Sequence, residues 1–121
     1  MKKNTDPELA RKWKLLLQAL GDMMGKKPKN LNGVLFLIGV QELGQGAKVF
    51  TKEQKQDLMH IAICRVLSKA GIYELEGHDQ DGWPHWKLVQ KLPYVNILEQ
   101  EKLLQMYILE YFADEGIVEV V

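Results

Sequence analysis

The chain has 121 residues, a length that suits one domain able to bury about two-thirds of its unfolded surface without help from a disulfide or metal. Sixteen basic and sixteen acidic side chains cancel, which excludes a whole-molecule field that would draw the protein to nucleic acid or an anionic membrane. Cys64 is the only cysteine, so an internal disulfide is excluded and the reducing cytoplasm is the expected compartment.

Charge is spread unevenly along the chain. Residues 1–29 hold eight Lys or Arg against three Asp or Glu, a balance of +5, and residues 98–121 hold one against six, a balance of −5. Packing of the two ends together, an antiparallel dimer, or solvent and salt would each satisfy this polarity. Residues 1–8 are charged with no apolar run behind them, and the longest apolar run, 34–38, is too short to cross a bilayer. A soluble, intracellular protein is expected, with residues 1–5 a short flexible N-terminus.

Asp6 followed by Pro7 reads as a helix opening: a capping carboxylate, then a residue whose missing N–H costs nothing in the first turn. Leu9, Trp13, Leu16, Leu17, Leu20 and Met24 form its apolar stripe, and Gly25 ends it. Asn32 is expected to cap a second element running from Val34 to Leu43. Its apolar run fits a buried strand or a buried helix, and a length of about a dozen residues favours helix. Gly33 and Gly39 lower helix propensity there but would let a neighbouring helix approach closely.

The stretch 51–71 carries the clearest helix signals and is expected to be central. Thr51 and Gln54 have the spacing of a capping box, Met59, Ala62, Ile63, Val66, Leu67 and Ala70 recur along one face, and Gly71 is a C-terminal stop. A β-hairpin from Ile72 to Val89 should follow, closed by a polar turn. Setting His78 opposite Trp83 places Glu76 opposite His85, Glu74 opposite Lys87, Leu75 opposite Trp86 and Tyr73 opposite Leu88, with an apolar face on one side. Pro84 should mark the edge or mouth. Leu92, Pro93 and Tyr94 break the strand, Asn96 and Glu99 open a last helix, Gly116 ends it, and Ile117 to Val121 alternates as a third strand would. The expected fold class is therefore α+β, mainly helical, with about four helices around the 51–71 helix and a small antiparallel hairpin, in a single domain.

Three functional readings follow. The favoured one is a non-catalytic interaction or scaffold module that self-associates as a homodimer or binds another protein. Its last helix is apolar around more faces than one core requires, and Leu103, Met106, Tyr107 and Phe112 are the expected contacts. The second is a winged-helix-like nucleic-acid binder, with Lys52, Lys55 and Lys69 meeting phosphates; Glu53, Asp57 and the aspartates of the turn oppose it. The third is a ligand or metal site on the hairpin, where His78, His85 and Glu76 would meet an ion such as zinc. The run from His78 to Trp86 looks least like generic scaffold, since it gathers two histidines, two carboxylates and two tryptophans. His60 and Cys64, with Asp57 one turn earlier, are the residue types of an activated thiolate, but a lone Cys on an apolar helix usually serves as a small hydrophobe. No cofactor motif and no membrane partner are expected.

Overall fold

Thr51 and Gln54 form the expected capping box: Thr51 Oγ1 accepts from the Gln54 N–H at 3.1 Å, and Gln54 Oε1 accepts from the Thr51 N–H at 2.9 Å. In this computed structural model, which describes residues 7–46, 48–91 and 96–117, four helices and one hairpin follow from such local signals. They are α1 (Pro7–Met24), α2 (Leu31–Leu43), α3 (Lys52–Leu67), β1 (Tyr73–His78), β2 (Pro84–Leu88) and α4 (Ile97–Asp114), with a 3₁₀ turn (Ser68–Ala70) closing α3. The fold is α+β and mainly helical, with a two-stranded antiparallel sheet among the described residues.

The second element is a helix, and its cap is Asn30 rather than Asn32: Asn30 Oδ1 accepts from the Gly33 N–H at 3.0 Å. Asn30 holds the extended backbone that a cap requires, whereas Asn32 is already inside the first turn. At the far end of α3, Gly71 turns left-handed at φ 77°, and the Ile72 N–H reaches the Leu67 carbonyl at 3.2 Å. That six-to-one bond closes a Schellman motif and sends the chain directly into β1. Asn96 caps α4 through the Glu99 N–H at 2.9 Å, and Gly116, at φ 68°, follows its end. The caps and strand breakers read at Asp6 and at Leu92, Pro93 and Tyr94, the N-terminus 1–5, and residues 118–121 of the expected third strand lie outside the described residues.

By its internal packing the chain gathers into two compact units. In the first, residues 7–29 pair with 96–117, and α1 packs on α4. Leu9, Leu16, Leu20, Ile108, Tyr111 and Phe112 are its buried residues.

In the second unit, residues 30–91, α3 packs on α2 and against both strands. Gly39 makes the helix crossing close, because a Cβ built there would stand 2.7 Å from the carbonyl carbon of Leu58 and 2.8 Å from its Cβ. Leu43, Phe50, Leu58 and Ile61 form the core beside that crossing, with Phe36, Val40 and Trp83 packed on it. The rings of Phe36, Phe50 and Trp83 meet edge to face in sequence, at centroid distances of 6.1 and 6.5 Å. Aromatic packing thus ties α2, the loop before α3 and the tip of the hairpin together.

The hairpin keeps the expected register for Tyr73 with Leu88, Glu74 with Lys87 and Leu75 with Trp86, and then departs from it. A bulge at Glu76 and Gly77 places Gly77 opposite His85 and His78 opposite Pro84. Gly77 sits at φ 145°, a backbone region glycine enters freely, so the extra residue is absorbed there.

Candidate functional site

The first half of α3 and the turn of the hairpin enclose an open cleft of about 530 Å³ within the second unit. Gln54, Asp57 and His60, at steps of three along α3, present one face to it. Asp79, Asp81, Trp83, His85 and Trp86 line it from the hairpin. Among the described residues the lining holds no Lys or Arg; its basic side chains are His60 and His85.

Asp79 builds the hairpin side. Its Oδ1 accepts from the backbone N–H groups of Asp81 at 2.9 Å and Trp83 at 3.0 Å, and its Oδ2 meets His85 Nε2 at 3.0 Å. The hydrogen bond to His85, then those from the two backbone groups, hold its carboxyl below the ordinary aspartate range. Two backbone bonds, from Asp79 N–H to the Trp83 carbonyl and from Gly82 N–H to the Asp79 carbonyl, close the same turn at 3.0 Å each. From outside the hairpin, Gln45 Nε2 donates to the Asp81 carbonyl at 2.7 Å and anchors the turn to the loop after α2.

The helix side is held differently. His60 lies edge to face with Tyr73 at a centroid distance of 6.3 Å, and its Nε2 is 3.5 Å from Cys64 Sγ. Cys64 is fully buried, and that burial pushes its thiol up to about 11. At neutral pH the sulfur is therefore a thiol, which removes the activated-thiolate arrangement of Asp57, His60 and Cys64. On the opposite wall the Trp86 indole N–H is buried without a hydrogen-bond partner among the described residues.

The expected metal set of Glu76, His78 and His85 is not assembled. The bulge takes Glu76 out of register with His85, His85 turns to Asp79, and His78 is absent from the cleft lining. Among the described residues no three His, Cys, Asp or Glu side chains are placed to hold a metal ion. Of the four contacts expected on the last helix, Phe112 is a core residue, stacked edge to face on Tyr111 at 5.4 Å. Leu103 and Tyr107 are half-buried, and Met106 is exposed at 46%. Lys52 and Lys55 are exposed on α3, and Lys69 is half-buried in the 3₁₀ turn. None of these three lysines lines the cleft.

Sequence reasoning singled out the run that forms the hairpin wall but gave it the wrong partners. Asp79 was legible only as a turn residue, and Gln54 only as a helix cap. No family model, no curated protein and no solved structure matches the chain. No helix among the described residues is long and apolar enough to cross a membrane.

Proposed function

We propose that this chain is a non-catalytic protein-interaction module whose recognition surface is the cleft between α3 and the hairpin turn. The observation that carries this reading is the lining itself: two tryptophans and three aspartates, with two histidines and, among the described residues, no Lys or Arg, on secondary structure fixed by the Phe36–Phe50–Trp83 packing and the Asp79 turn. Tryptophans in a concave, rigid setting are the usual anchors of protein recognition, and the volume suits one or two side chains of a partner. Three aspartates in the cleft would repel a phosphate backbone, which supports a protein partner over nucleic acid.

Selection from a random peptide-display library, run in parallel on the wild type and on Asp57→Lys, tests the proposal. Enrichment of peptides that bind the wild type and lose the variant is expected. No enrichment, or peptides indifferent to Asp57→Lys, would refute it.

A second reading, self-association through α4, is favoured by the exposure of Ile97, Leu98 and Met106 on that helix. Native mass spectrometry would show a dimer, converted to monomer by Met106→Glu.

A further inference from the structure

We propose that the cleft accepts a cationic side chain of the partner, an arginine in preference to a lysine; this rests on the interaction-module reading and names the chemistry of its ligand. Asp79 is committed to His85 and to the turn, but the carboxylates of Asp57 and Asp81 have no hydrogen-bond or ion-pair partner among the described residues. One belongs to α3 and the other to the hairpin turn, so both walls bring an uncommitted negative charge to the same 530 Å³ space. A monocation fits this asymmetry better than a metal ion, because no convergent set of three ligands exists among the described residues.

The two indoles select among cations. Trp83 and Trp86 both line the space, and Trp83 is held in place by its edge contact with Phe50. A guanidinium is planar and weakly hydrated; it stacks on an indole face while its fork of N–H groups reaches carboxylates on either side. An ammonium is a compact, strongly hydrated charge and uses the aromatic walls less well. The acidic, aromatic lining therefore matches the guanidinium on both counts.

The test is a titration of the full-length, ¹⁵N-labelled chain with the blocked peptide acetyl-Gly-Gly-Arg-Gly-Gly-amide, and with its lysine and citrulline counterparts. The indole N–H signals of Trp83 and Trp86 should move saturably with the arginine peptide at millimolar concentrations, while that of Trp13 stays in place. Citrulline keeps the shape and loses the charge, and it should move neither signal. Asp57→Asn and Asp81→Asn, both at exposed positions, should each weaken binding by up to about five-fold, the affinity equivalent of an exposed ion pair. Equal shifts with citrulline, no shift with arginine, or unaltered binding in both Asn variants would overturn the inference, and a lysine peptide that binds as tightly would overturn the arginine preference. Display selection separates this failure from that of the wider reading: cleft-dependent peptides without basic residues would leave the interaction module standing and remove the cation.

Discussion

Gly39→Ala tests the helix crossing on which the cleft depends. The added Cβ would stand 2.7 and 2.8 Å from the carbonyl carbon and Cβ of Leu58, with the carbonyl oxygen closer still. Carbon atoms at rest sit about 3.5–4.0 Å apart, so α2 and α3 must separate by about 1 Å. Two of those atoms are backbone and cannot swing aside, which places the overpacking at the upper end of about 1–3 kcal/mol. Replacing a helical glycine by alanine returns about 1 kcal/mol of propensity, so the net loss is about 2 kcal/mol. With a urea dependence of about 1–3 kcal/mol per molar, the midpoint should fall by about 1 M at unchanged slope. Gln41→Ala, at an exposed position of the same helix, supplies the control and should hold or slightly raise the midpoint. Leu58 follows Asp57 directly, so the same separation should weaken cleft binding. A Gly39→Ala midpoint equal to or above the wild type would refute the close crossing.

Thr51→Ala removes the side-chain half of the α3 capping box and should cost about 1 kcal/mol in the same urea experiment, while Thr51→Ser should keep most of it. The carboxyl of Asp79 is held below its ordinary value in the fold, so its contribution is complete above the unfolded-state value and is lost as pH falls through the lower folded one. Asp79→Asn should remove that part of the acid transition, seen as a flatter dependence of the urea midpoint on pH in the acid range. Cys64, buried and raised to about 11, should resist iodoacetamide at pH 8 in the native protein and react promptly in urea. Met106→Glu should leave the urea midpoint nearly unchanged, since its side chain is exposed.

Local chemistry made most of the elements legible. The capping residues Thr51 and Asn96, and the left-handed glycines at 25, 71 and 116, mark helix boundaries with groups whose hydrogen bonds or backbone angles admit few alternatives. The 34–43 run was harder, since a segment buried nearly all round loses the periodicity that separates helix from strand. Its small residue at 39 was informative in the way expected, as the point of close approach. The hairpin shows the limit. Charge and apolar matching fixed its open end, but Gly77 within a strand is itself a bulge signal, and weighing it would have moved His85 away from Glu76. The cleft needs α3 and the turn side by side, a relation set by tertiary packing of Trp83 on Phe50 that no spacing in the chain encodes. Division into two units is likewise a matter of which helices pair, which no local pattern in the chain encodes.

Amide and indole shift mapping with the strongest peptide from display selection tests the central claim most directly, because one spectrum reports on every surface at once. The account predicts perturbations at Gln54, Asp57, His60, Trp83 and His85, with Leu98 and Met106 unmoved. Shifts concentrated on α4, with the cleft silent, would contradict it and transfer recognition to the exposed apolar residues of that helix.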